Sequence, residues 1–263
     1  MSDGVEFHVR DGIARIQLDR PIHGNALNLA AAEALGVAAA AAANDLSVRC
    51  VVLIGTGRFF CTGGDVASFA AADRRGAFVK DLADAVHRAV MTLATMAKPL
   101  LVAVNGPAAG AGFGLALLGD LVIASDAAHF TSAYSAIGLT PDGGLSWNLP
   151  RLAGLRRAQD IIITNRRVGA AEAADIGLVT RTVPAAEFDA EIDRMAALLV
   201  AAPTAALGAI RALIAASATT SLADQLEAEA AGIGHAAEGD EGREGVDAFL
   251  AKRSPRFNSG AVE

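Results

Sequence analysis

PLLVAVNGPAAGAGFGLALLG, residues 99–119, carries no charge and lies between Lys98 and Asp120. Its length alone would permit a membrane helix, but five glycines, an internal proline and an asparagine make a poor lipid helix. The stretch reads instead as a buried strand over 100–104 and a sharp turn through Asn105, Gly106 and Pro107. A helix follows, entered through Gly110, Ala111 and Gly112. Glycines at such a turn let the backbone approach a ligand, and the free N–H groups that open the helix can face developing negative charge.

Outward from this centre the chain alternates strand and helix. Upstream, CVVLIG, 50–55, is a β-branched apolar run of the kind found in parallel strands buried on both faces. FFCTGGDV follows it, with Gly63 and Gly64 free to take unusual angles and Asp65 placed to cap the next helix. The chain opens with a hairpin, 6–10 and 13–18, about Asp11-Gly12. LDRPIHGNAL, 18–27, then leads into an alanine-rich helix over 28–43, and a long helix over 73–97 ends at Lys98-Pro99. Downstream, DLVIASDAAHFTS holds two short strands, and SAIGLTPDGGLSWNLPRLAG holds a loop in which Asp142 precedes Gly143-Gly144. A lone Asp at such a place is commonly a helix cap. Trp147, the only tryptophan, is expected in the core. Helices over 158–164 and 170–176 and a strand over 178–183 continue the alternation. Past Pro184 only helices remain: 187–202, 204–218, 221–237 and, after a polar bend at 239–243, 245–252. The fold class is thus α/β over 1–185, carrying the site, with a helical C-terminal segment over 186–263.

Composition narrows the function. With 53% hydrophobic and 19% charged residues among 263, and a mean hydropathy of +0.39, the chain is apolar enough to expect a subunit interface. A net charge of −7 and no Lys/Arg stripe disfavour a nucleic-acid binder. Cys50 and Cys61 make neither a disulfide framework nor a metal cluster, and MSDGVEF lacks the regions of a signal peptide, so a reduced cytoplasm is expected. There is no P-loop or HExxH, and GAGFG lacks the GxGxxG spacing. His8, His23, His87, His129 and His235 form no ligand pair, and each is expected to be a surface or satisfied core residue.

Read together, FFCTGGD and KPLLVAVNGPAAGAG resemble the enoyl-CoA hydratase/isomerase, or crotonase, family, and the likeness runs from LDRPIHGNAL through GLVTRTVP to FLAKRSPRF. The resemblance implies a crotonase-like spiral of ββα units, a C-terminal segment used in assembly into homotrimers or hexamers, and acyl-CoA thioester substrates with no separate cofactor. It puts the oxyanion hole on the N–H groups of Thr62 and Ala111. Ligand binding falls to Arg20, Ala26, Gly63, Gly64, Asp65, Gly110 and Tyr134, with Phe249 and Lys252 reaching ligand in the same or a neighbouring subunit. Two glutamates that hydratases of this family use align with Gly114 and Tyr134 here. Adding water needs a base and an acid, whereas a double-bond shift can run on one carboxylate. Asp142 resembles the acid of those members that shift double bonds, among them enoyl-CoA isomerases and the ring-opening isomerase of phenylacetate breakdown. An enoyl-CoA isomerase with Asp142 as proton shuttle is therefore expected. A hydratase or other crotonase-type enzyme using water and groups such as Tyr134 is the alternative, as is a non-catalytic acyl-CoA-binding subunit.

Overall fold

Two apolar runs, 50–55 and 100–104, lie side by side as parallel strands in the computed structural model, which describes residues 3–257. In chain order the elements are β1 (Val5–Arg10), β2 (Ile13–Leu18), α1 (Leu29–Asn44), β3 (Cys50–Gly55), α2 (Val66–Ala71), α3 (Arg75–Thr95), β4 (Leu100–Val104), β5 (Ala108–Ala109), α4 (Ala111–Ala116), β6 (Leu121–Ser125) and β7 (His129–Thr131). There follow α5 (Leu145–Ala153), α6 (Leu155–Thr164), β8 (Arg167–Gly169), α7 (Ala170–Asp175), β9 (Arg181–Val183), α8 (Phe188–Ala201), α9 (Thr204–Ser217), α10 (Leu222–Glu238) and α11 (Asp240–Leu250). A six-stranded sheet runs β1-β2-β3-β4-β6-β9, parallel except for the β1/β2 hairpin, and a three-stranded sheet runs β5-β7-β8.

The unbroken apolar character of β3 has a direct cause. Val51 and Leu53 join Leu100 and Val102 of β4 against α1 and α3, while Cys50, Val52 and Ile54 join Leu101 and Ala103 on the opposite face. That second face is covered by Phe188, Ile192, Met195, Ala196 and Leu199 of α8. The first helix of the C-terminal segment is thus a wall of the core, Leu207 of α9 packs against the same cluster, and α9, α10 and α11 otherwise form an outer part. Arg211 of α9 docks this outer part. Its guanidinium pairs with Asp120 at 2.7 Å and donates to the carbonyls of Leu93, Met96 and Lys98 at the end of α3.

Several expectations change in detail. The bend at 239–243 contracts to Gly239, because α11 already begins at Asp240. The strand over 178–183 shortens to β9, and β8 was not foreseen. Trp147 is not in the core: it is 51% exposed, with the Arg151 guanidinium 3.8 Å over its ring. Leu145, Leu149 and Ala153 form the buried stripe of α5, and Trp147, two residues from Leu145, falls on the opposite side. Among the described residues no single helix is long and apolar enough to cross a membrane; the stretch 99–119 is strand, turn and helix.

Candidate active site

Parallel neighbours end at the same edge of a sheet, so the turns after β3 and β4 meet. Ala109 N–H donates to the Cys61 carbonyl at 2.9 Å, and Phe60 and Cys61 N–H donate to the Pro107 carbonyl at 3.2 and 3.3 Å. Asn25, buried in the loop after β2, donates to the carbonyls of Thr56 and Phe59 at 2.9 and 2.7 Å. The start of α4 therefore presses on the FFCTGGD turn: a Cβ on Gly112 would stand 2.2 Å from the Cys61 carbonyl oxygen. A side chain at 112 would force the two segments apart.

The backbone amides at this junction separate into engaged and free. Thr62 N–H donates to the Gly24 carbonyl at 3.1 Å, so the donor expected at Thr62 is already committed within the fold. On either side of Gly64, Leu27 N–H donates to the Gly63 carbonyl at 2.7 Å and Asp65 N–H donates to the Leu27 carbonyl at 2.9 Å. In this parallel bridge the amide of Gly64 itself points away from Leu27. Gly64 N–H has no acceptor among the described residues, and neither has that of Ala111, the first residue of α4. Both residues line one cavity. The free pair is Gly64 and Ala111, in place of Thr62 and Ala111.

That cavity, of about 300 Å³, is lined at the amide end by Thr62, Gly63, Gly64, Gly110 and Ala111. Leu82, Ala83 and Val86 of α3, Phe69 of α2, and Ile137 and Leu139 give it apolar walls. Tyr134 and Asp142 reach it together, and among the described residues Asp142 is the only carboxylate in its lining. Five of the expected site residues lie elsewhere: Arg20, Ala26, Asp65, Phe249 and Lys252 do not line it. Phe249 is 82% exposed on α11. The Arg20 guanidinium donates to the Ala26 carbonyl and pairs with Asp65 at 3.1 Å, so its charge is already neutralised inside the fold. Asp65 also caps α2, accepting from Ser68 N–H.

Burial alone would raise the Asp65 carboxyl, but the Arg20 hydrogen bond and charge, with the N–H groups of Ser68 and Ala67, hold it below the usual carboxylate range. A depressed folded value means the stabilisation is present above the unfolded value of about 3.9 and is lost as pH falls through the folded one. Asp65→Asn keeps the cap and should cost about 1.5–3 kcal/mol at neutral pH. In denaturant titrations the gap to the parent should close as the parent's own carboxylate is protonated; a gap unchanged by acid would refute the assignment.

Asp142 does not cap a helix. The residue flanking α5 is Gly144, no side chain caps that helix, and the Asp142 carboxylate instead accepts from Tyr134 Oη at 2.5 Å. The expectation of a cap fails because Gly143 and Gly144, at φ +60° and +80°, turn the chain between Asp142 and the helix. Burial, then the charge and hydrogen bond of Asp142, push the Tyr134 hydroxyl well above its ordinary value. It stays protonated and donates. The Cys61 thiol, buried and pushed up to about 12 by desolvation, is no nucleophile at neutral pH. At Gly114 a Cβ would stand 2.4 Å from the Gly143 carbonyl oxygen, so the Asp142 turn occupies the space where a side chain at 114 would begin.

One contact was invisible beforehand. His87 of α3 accepts from the Gly143 N–H through Nε2 at 3.1 Å, and no local pattern links residues so far apart in sequence. Among the described residues no cluster of His, Cys, Asp and Glu could hold a metal ion. The arrangement can hold a carbonyl oxygen on two amides, with one carboxylate beside the atoms next to it and apolar walls beyond.

Comparison with known proteins accords with this geometry. The family described as enoyl-CoA hydratase/isomerase matches residues 8–260. The chain is 39% identical to a protein named probable enoyl-CoA hydratase from Rhodobacter capsulatus, over 96% of this chain and 97% of that one. It is 37% identical to the 1,2-epoxyphenylacetyl-CoA isomerase of Escherichia coli, over 98% of this chain and 99% of that one. The crystal structure of an enoyl-CoA hydratase from Polaromonas sp. JS666 superposes with a TM-score of 0.91 at 34% identity, over 96% of this chain and 98% of that one. The chain therefore belongs to the enoyl-CoA hydratase/isomerase family, has its crotonase fold, and is an acyl-CoA enzyme of that type.

Proposed function

We propose that the enzyme shifts a double bond within an enoyl-CoA thioester, with Asp142 carrying the proton. The observation that supports this most is the single carboxylate that the described residues bring to the cavity, held by Tyr134 and sharing that cavity with two free amides. The thioester oxygen of a 3-enoyl-CoA sits on the amides of Gly64 and Ala111. The Asp142 carboxylate removes a proton from carbon 2, and the electron pair moves onto the thioester oxygen as a dienolate. The same carboxyl then returns the proton to carbon 4, the charge flows back, and the product is the conjugated 2-enoyl-CoA. Tyr134 occupies Oδ1, which leaves Oδ2 to move the proton.

Absorbance of the conjugated thioester tests the reading. An isomerase increases it from 3-enoyl-CoA, a hydratase decreases it from 2-enoyl-CoA, and a mere binder does neither and exchanges no deuterium from solvent at carbon 2 or 4. The second and third outcomes each overturn the proposal.

The proposal includes assembly into a homotrimer or hexamer. Helices α9, α10 and α11 leave Ile210, Ile214, Leu222, Leu226, Ile233 and Leu250 exposed, more apolar surface than separate helices tolerate in water. Phe249 and Lys252, outside the cavity of their own chain, would then reach ligand in a neighbour. Sedimentation at micromolar concentration is expected to show a multiple of three chains, and a stable monomer would count against it.

A further inference from the structure

Two consecutive glycines follow Asp142 in the turn that carries it to the cavity. Gly143 and Gly144 both take left-handed φ values, +60° and +80°, and glycine loses more freedom than any other residue when it is held in one conformation. Something has to hold it. Leu145 N–H donates to the Asp142 carbonyl at 3.1 Å, and Tyr134 Oη donates to the Asp142 carboxylate at 2.5 Å and to its carbonyl at 3.4 Å, so Asp142 itself has its partners. The Gly143 N–H, the other half of the Asp142–Gly143 peptide, is held among the described residues by His87, whose Nε2 accepts from it at 3.1 Å.

We infer that His87 is a positioning residue that sets where the Asp142 carboxylate stands, by clamping the Gly143 amide to α3. The inference rests on the reading of Asp142 as proton shuttle. His87 does not line the cavity, whereas Leu82, Ala83 and Val86 of the same helix do. It therefore touches no substrate, and its Nε2 is spent on a backbone amide. In accepting from that amide, Nε2 acts through its lone pair. The bond ties the shuttle to the helix that walls the acyl group, so the carboxylate and the acyl chain are placed by one rigid element. On the other side the Gly143 carbonyl lies over Gly114 of α4, where a Cβ would stand 2.4 Å from its oxygen.

The test compares His87→Leu, which removes the acceptor, with His87→Gln, whose side-chain oxygen reaches about as far as Nε2. His87→Leu should lower kcat on 3-enoyl-CoA by about a hundredfold, the scale of an ångström's misplacement of a catalytic group, with KM within about twofold of the parent because no lining residue changes. His87→Gln should recover most of that loss. Hydrogen exchange at the Gly143 amide should speed up in the leucine variant and slow again in the glutamine one, a readout that needs no turnover. Should His87→Leu fail to fold, His87→Asn, too short to reach the amide, takes its place with the same expectation. A folded Leu or Asn variant with parental kcat, an equal loss in the Leu and Gln variants, or a rise in KM alone would each overturn the positioning role. Asp142→Asn run alongside separates the two levels: if it keeps the parental rate the shuttle reading falls, and if it is inactive while His87→Leu is not, only the clamp falls.

Discussion

Asp142→Asn is expected to lower double-bond isomerisation by about a hundred- to ten-thousandfold, the range that a positioned proton carrier supplies. Binding of a saturated acyl-CoA should stay within about twofold of the parent. The variant is well suited to its purpose. Asparagine keeps the shape, its carbonyl oxygen can still accept from Tyr134 Oη in place of Oδ1, and no cap of α5 is lost because the side chain makes none. What disappears is the capacity to take up a proton from carbon 2. Thermal melting should move little, and solvent deuterium should no longer enter carbon 2 or 4. A folded Asp142→Asn enzyme that isomerises at the parental rate would remove Asp142 from the chemistry.

Ala111→Pro should cost about a hundred- to a thousandfold in rate, as loss of one oxyanion donor does elsewhere. Ala111 is the first residue of α4, a position where proline fits the helical φ and where the missing N–H breaks no intrahelical bond. The preceding Gly110, at φ 53° and ψ −129°, is outside the helical region that proline forbids to its predecessor. Ala111→Ser keeps the amide and serves as the control. Changing Gly64 is less informative, since a Cβ there would meet the Phe69 ring at 2.5 Å. If folded Ala111→Pro turns over like the parent, that amide does not hold the thioester oxygen.

The finding that Gly64, and not Thr62, has the free amide shows where local reading stops. Gly64 and Thr62 are two residues apart in one turn; FFCTGGD showed that Gly64 could take unusual angles, and the resemblance put the donor on Thr62. Which amide is free depends on which carbonyls the rest of the chain brings up. Gly24 takes the amide of Thr62, and the bridge to Leu27 leaves that of Gly64, a residue of the cavity lining, without an acceptor among the described residues.

By itself the sequence determined the elements whose pattern has a local cause. The runs in β3 and β4 read as buried parallel strands because both of their faces are covered. Asp65 read as the cap of α2 because capping spans three residues, and the glycine turn into α4 because its angles demand glycine. Only the tertiary structure decided the rest. Arg20 is spent on Asp65, Trp147 lies on the outer side of α5, Asp142 turns from a helix end to Tyr134, and His87 reaches Gly143 across 56 positions of chain. The pairings of Arg20 and His87 follow from which distant segment arrives beside a group with an unmet hydrogen bond or charge, and the sides taken by Trp147 and Asp142 from which face of their element the rest of the chain covers; both depend on how the whole chain packs.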